Sequence, residues 1–480
     1  MGDPYGLVSD ESDFLIHPAK IATGEGVRFY SDYRFTYRGV KDWDYNLDHF
    51  NTAGTLTGYN HYDTSGSEYS HETLLGASLP SGSGRMGFFL SYDRMKGDYD
   101  GNEDLLGMDN YATYDITKDL DNFALRLLYG LPLGGFNLGG EVRLSYRSEE
   151  NTSWLERTNG SSGYLNYIVN TSFPDANLLP FLPPYDSNYW EALLKGSLEG
   201  HIGPADVEFT LRGGFVFNGD NSLTIERQIP VGIVKAVADM DGDVEGWQIG
   251  GDLWLRYPLD GGLSLPFLVS VGYQDKTRDG EGPGRLGWTP WSNQSYETGA
   301  KDLQIVVGGG ADNKLGAGTS IAAGIYYKYF QGEKDIIFHV EPASYEYFDS
   351  YDVPLHTEHQ VLVRFAGERE FTPTVALRMG LDFFYGWVKE DFEFTYSFSA
   401  APVYTDNLSL NGYRWGVEGS VGGTFTFDGF TLEPFLNAGY QDLNLDGDGK
   451  RTGTSTGLWK IDKSRRDWFI GAGFSVLFDL

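Results

Sequence analysis

Three short acidic stretches carry oxygen donors at alternate positions: DYDGNED with Asp98, Asp100, Asn102 and Asp104, DMDGDVE with Asp239, Asp241, Asp243 and Glu245, and DLNLDGDG with Asp442, Asn444, Asp446 and Asp448. Hard oxygen ligands around a turn-forming glycine suit Ca2+. The third stretch opens as D-x-N-x-D-G, the start of an EF-hand loop, but Gly453 stands where the bidentate Glu belongs. The chemistry expected is calcium held in loops by Asp98, Asp100, Asp239, Asp241, Asp243, Asp442, Asn444 and Asp446, set against the plainer reading of solvated acidic turns. No other cofactor is expected. Cysteine is absent, which removes disulfides, thiolate metal sites and thiol nucleophiles. Eight histidines are scattered without H-E-x-x-H, G-x-S-x-G or a phosphate loop, so no enzyme is expected. A formal charge of -32 argues against nucleic acid as a partner.

A second set of charged residues sits on segments that alternate strictly between apolar and polar. WFIGAGFSVLFDL carries Ile470, Ala472, Phe474, Val476, Phe478 and Leu480 on one face, with Gly471, Gly473, Ser475 and Asp479 on the other. FNLGGEVRLSYR, WQIGGDLWLRY and VALRMGLDFFYGW repeat the pattern, and their apolar stripes end in Tyr or Trp. A period of two is a strand, and terminal rings suit a membrane-water boundary. No run approaches the ~18 apolar residues of a membrane-spanning helix.

The connections alternate in length. Short turns are expected at 79–84, 132–135, 202–205, 258–262, 311–317, 367–372 and 427–430. Long acidic loops are expected near 40–66, 98–117, 150–189, 219–242, 277–295, 331–353, 389–408 and 447–465, with 46–60 as an extra strand or loop hairpin. The expectation is an all-β fold: a transmembrane antiparallel up-and-down β-barrel of about sixteen strands over residues 27–480, preceded by a segment at 1–26.

If the apolar stripe faces lipid, the other stripe faces the lumen. That puts Arg28, Arg34, Arg126, Glu141, Arg143, Arg147, Arg212, Asp252, Arg256, Arg378, Asp382, Arg414 and Glu418 on the inner wall as pore-lining residues. So many charges need water or a polar filling. Rings of Arg and Lys would favour anions, and cross-strand pairing is the structural reading for each residue taken singly.

On these patterns the chain resembles a bacterial outer-membrane β-barrel of the porin type, and FSVLFDL is similar to the C-terminal signal read by the barrel-insertion machinery, with Leu480 where an aromatic residue is usual. The resemblance implies a multi-pass protein of the bacterial outer membrane, in contact with its lipid and lipopolysaccharide, and a homotrimer as in many porins. It implies a channel for passive diffusion of ions or small hydrophilic solutes. Two alternatives stay open: a barrel sheathing a multihaem cytochrome in an electron conduit, and a transporter of hydrophobic substrates with a plug. DFLIHPAKIA (13–22) bears on the last, because His17, Pro18 and Ala19 resemble the Asn-Pro-Ala segment of the long-chain fatty-acid transporter family. A periplasmic cap under the first strand is the expected placement of this segment, and a plug inside the barrel its alternative. The Pro-rich FPDANLLPFLPPYDSNYW is expected to fold into the pore or against a partner.

Overall fold

The computed structural model describes residues 13–105, 110–159, 164–167, 185–229, 234–286, 289–316, 318–342, 347–398, 401–454 and 456–479. Its strands are β1 (Arg28–Phe50), β2 (Leu56–Ser81), β3 (Gly84–Leu105), β4 (Asn110–Leu133), β5 (Phe136–Asn159), β6 (Tyr164–Tyr167), β7 (Tyr185–Ile202), β8 (Ala205–Ile229), β9 (Val234–Pro258), β10 (Leu263–Leu286), β11 (Thr289–Lys314), β12 (Thr319–Pro342), β13 (Tyr347–Thr372), β14 (Val375–Phe398), β15 (Ala401–Phe427), β16 (Phe430–Gly453) and β17 (Gly457–Asp479). Each long strand runs antiparallel to the next, and β1 pairs with both β2 and β17. The result is a closed sixteen-stranded up-and-down barrel. Closure leaves no open sheet edge, as a lipid environment demands. The four-residue β6 pairs with the far ends of β5 and β8 and so continues the position of β7 in the wall.

At one end the strands are joined by tight turns in which Gly82, Gly134, Gly203 and Gly429 adopt φ of 62°, 64°, 62° and 86°, a conformation that favours glycine. The turn expected within 367–372 lies instead at Pro373-Thr374: β13 continues through Thr372, which pairs with Val375. Proline has no N–H to give a ladder, so it marks the bend.

Exposed apolar side chains form the outer band, among them Leu75, Phe88, Leu127, Val142, Leu194, Leu211, Ile249, Val271, Ile325, Leu381 and Ile470. Rings bound it on both sides. Near the turns stand Phe29, Tyr129, Tyr257 and the stacked pair Phe427 and Phe430, with Phe478 tilted against Phe430. Farther up, rings pack in cross-strand pairs: Tyr37 with Trp468, Tyr92 with Phe123, Tyr146 with Trp190, and Trp247 with Tyr273. From Leu138 to Tyr146 on β5, this interval matches the ~9–11 residues a tilted strand needs to cross a bilayer.

The strands do not stop there. They run 18 to 27 residues, so the expected long loops are in large part strand. The hairpin expected around 46–60 is the end of β1 and the start of β2, joined by a turn at 51–55. A dozen extra residues at ~3.3 Å each, tilted, raise the wall roughly 30 Å beyond the upper rings. Most of the loop at 150–189, including the Pro-rich stretch before Tyr185, lies outside the described residues.

The extension is stable because its amphipathicity inverts. Within the bilayer β16 points Leu432, Leu436 and Tyr440 outward, whereas beyond it Leu443 and Leu445 point inward and Asp446 and Asp448 face water. Val40, Leu47, Tyr99, Ile116, Val388, Phe392, Leu408, Leu410, Leu445 and Ile461 then form one buried cluster inside the extension. Water replaces lipid outside, so burial favours the opposite face.

Candidate functional site

The lumen is occupied from below by the segment before β1. Asp13–Leu15 and Pro18–Thr23 form two 3-10 turns, and Phe14, Leu15, His17, Ala19 and Ile21 are buried. Phe14, Leu15 and Ile21 pack with Leu74, Phe89 and Leu128 of β2, β3 and β4, all on inward positions. The backbone is bound as well: Lys195 donates to Leu15 O (2.9 Å), and Ala19 N donates to Ser197 Oγ (2.6 Å). His17 Nδ1 lies 2.8 Å from Thr210 Oγ1, and its ring meets Trp254 edge-on. Lys20 pairs with Glu208 at 3.0 Å. Arg85, buried under Gly24, donates to Gly26 O and fixes the exit toward β1.

The close fit depends on Gly139 of β5, where a Cβ would stand 2.1 Å from Ala19 N. The segment thus packs against inward-facing positions of β2 to β9. Below it lies a polar vestibule of about 570 Å³ at the turn end, lined in part by Lys20, Arg28, Arg85, Glu199, Asp206 and Arg256.

Beyond His17 the inner wall carries an apolar patch. Trp254, Leu268, Val306, Ala322, Tyr326 and Leu362, from β9 to β13, form a buried cluster with Ala366 and Phe384 against it. None of these is among the pore-lining residues expected from the sequence. The missed signal was the unbroken runs FLV (267–269), IVV (305–307), IYY (325–327), VLV (361–363) and FFY (383–385), which mark strands apolar on both faces.

All thirteen charged residues assigned to the pore occupy inward positions, and most are paired along the wall. Arg28 meets Asp479 (2.9 Å), Arg34 Glu72 (3.9 Å), Arg143 Glu191 (3.3 Å), Arg147 Glu149 (2.7 Å) and Arg256 Asp312 (3.3 Å). Glu141 is held by Lys195 at 3.1 Å, Asp252 by Arg212, and Asp382 by Arg364 at 3.0 Å. Arg378 bridges Glu368 and Glu433, Arg414 reaches Glu358 and Gln441, and Glu418 accepts from Asn437. Among the described residues Arg126 makes no hydrogen bond and no ion pair.

Above the upper rings two clamps cross the interior. Glu149 of β5 takes Arg147, Tyr189 of β7 and, four strands away on β10, Lys276 and Arg278. Burial pushes its pKa up, but Lys276, Arg278 and Arg147 outweigh this and hold it at about 2. Glu390 of β14 takes Lys463 of β17 at 2.8 Å and His356 at 3.2 Å. Burial again opposes, and Lys463 and His356 bring it to about 2. Together with the apolar cluster of the extension, these clamps pack the passage above the membrane.

The acidic triplets are the outer faces of the extension. Asp98 and Asp100 flank buried Tyr99, Asp239 and Asp241 flank buried Met240, and Asp243 adjoins buried Val244. Asp442, Asn444 and Asp446 alternate with Leu443 and Leu445 on β16. Their spacing of two is that of an extended strand, which sets successive same-face residues roughly 6.6 Å apart. Such a row does not converge on one ion as a loop does. Among the described residues no three acidic or histidine side chains gather to hold a metal ion.

A closed barrel with a lipid-facing apolar band and ring girdles defines the class as outer-membrane β-barrel protein. No protein-family model matches the chain, and no curated protein is similar to it. Some solved structures are similar to the chain at low identity. A FadL homologue from Pseudomonas aeruginosa is 11% identical with a TM-score of 0.45, over 99% of this chain and 96% of that one. A TodX monoaromatic hydrocarbon channel mutant is 11% identical at 0.43, over 98% and 95%. The ferric yersiniabactin uptake receptor FyuA from Yersinia pestis is 10% identical at 0.32, over 92% and 80%.

Proposed function

We propose that this barrel is a channel of the bacterial outer membrane for small hydrophobic solutes, with residues 13–23 as its plug. One observation carries the reading: an apolar segment seated in the lumen adjoins an apolar patch of the inner wall from Trp254 to Leu362. Such a surface offers nothing to a hydrated ion and favours solutes that gain by leaving water. The packed passage above the membrane supports the same choice over a wide diffusive pore.

The test is planar-bilayer conductance of the purified chain, paired with uptake of toluene into liposomes. Expected are a nearly silent wild type, ohmic steps on deletion of residues 1–23, and toluene uptake above that of empty liposomes. Large steady conductance from the wild type would return the reading to passive diffusion of hydrophilic solutes through the charged wall.

A further inference from the structure

We propose that His356 is a pH-sensitive latch in the extension above the membrane, holding the packed interior closed while protonated and releasing it in alkaline medium. His356 of β13 points inward, directly opposite Glu390 of β14, with the ring of Phe330 edge-on to its imidazole. Both ring nitrogens face carboxylates: Nδ1 lies 3.2 Å from Glu390 Oε1, and Nε2 lies 3.7 Å from Glu358 Oε2. An ionised carboxylate only accepts, and a neutral imidazole carries a single N–H. One nitrogen of a neutral ring would set its lone pair against an anion, so the arrangement calls for imidazolium.

Two ion pairs meet at this ring. Lys463 of β17 reaches Glu390 at 2.8 Å, and Arg414 of β15 reaches Glu358 at 3.3 Å. Arg414 also donates to Gln441 of β16 at 2.7 Å, and Gln441 donates to Asp467 of β17, which Arg465 pairs with at 2.9 Å. The run of contacts leaves β17 at Asp467 and returns to it at Lys463, with His356 as its joint. Lys463 and Arg414 already balance Glu390 and Glu358, so the imidazole proton serves to join two pairs that otherwise stand apart. Losing it leaves no bare charge, and the network parts without collapsing. Val388 and Phe392, on either side of Glu390 along the inner face of β14, belong to the apolar cluster that fills the extension, so slack at this joint reaches the packed passage.

Burial pulls the His356 pKa down, but its hydrogen bonds to Glu358 and Glu390 and their charges outweigh this and raise it above 6.5. A raised pKa contributes stability below the unfolded value and loses it as pH rises through the folded one, which puts release on the alkaline side of 6.5. The latch rests on the channel reading only for what it lets through.

The test is hydrogen exchange of the full chain in detergent at about pH 6 and about pH 9, corrected for intrinsic rate. Wild type is expected to exchange roughly tenfold faster at the higher pH in the extension of β13, β14 and β17. His356→Arg, which keeps the charge, should stay slow at both, and His356→Gln should be fast at both. No change in wild type, or the same change in His356→Gln, would overturn the latch. In wild type labelled with 13C in its histidine rings, one signal should titrate with a midpoint above 6.5; none doing so would overturn the latch without recourse to variants. Toluene uptake into liposomes should rise between the same two pH values in wild type and not in His356→Arg. Equal uptake at both would remove the gating role, whereas no uptake at either, with exchange still responsive, would sink the channel reading and leave the latch standing.

Discussion

Lys195 serves two roles, neutralising buried Glu141 and donating to the plug backbone at Leu15. Lys195→Met leaves a carboxylate buried and unpaired, which costs about 3–5 kcal/mol. Its melting temperature should fall well below wild type, and Glu141→Gln in the same chain should recover most of the loss. If the double variant is no better than the single, the pair is not the source of the cost. Gly139 makes the opposite kind of contribution, by being absent from the space Ala19 fills. Gly139→Leu should unseat the plug while the barrel stays folded, seen as ion conductance approaching that of the 1–23 deletion. Silence in the bilayer would mean the segment can shift and still seal.

At the level of the strand, the inversion of the apolar face divides each element into a lipid-facing part and a water-facing part. The clamps at Glu149 and Glu390 belong to the second part, and both groups have folded pKa values of about 2 against an ordinary 4.5. A depressed carboxylate stabilises the fold above its unfolded pKa and loses that contribution as pH falls from about 4.5 toward 2. Hydrogen exchange, corrected for intrinsic rate, should therefore show the extension around β5, β10 and β14 losing protection below about pH 4, while the bilayer part keeps its own. Uniform loss along the strands would refute the division. Alternation was legible along these segments, including DLNLDGDG, but its meaning was not: a polar face every second residue reads equally as a solvated strand or as spaced ligands.

For the whole molecule, the tryptophans report which side of the wall they occupy. Trp247, Trp387 and Trp468 face outward at the upper ring level, whereas Trp254 and Trp459 face the interior. In liposomes containing brominated lipid, single-tryptophan chains retaining Trp387 or Trp468 should be strongly quenched, and those retaining Trp254 or Trp459 scarcely at all. Quenching of Trp254 would place the apolar patch outside and remove the basis for the channel reading. Two seals, the plug below and the packed extension above, bracket the apolar patch.

Period-two alternation, glycine turns and terminal rings follow from local geometry and from which solvent each face meets, so the barrel, its sixteen strands and the inward placement of the charged stripe could be read along the chain. The position of the plug could not. It depends on Gly139, Lys195, Ser197, Thr210 and Trp254, which come from three regions of sequence and meet His17, Ala19 and Leu15 only when the sheet closes. Alternation specifies which face a side chain is on; curvature of the closed wall specifies what stands opposite it.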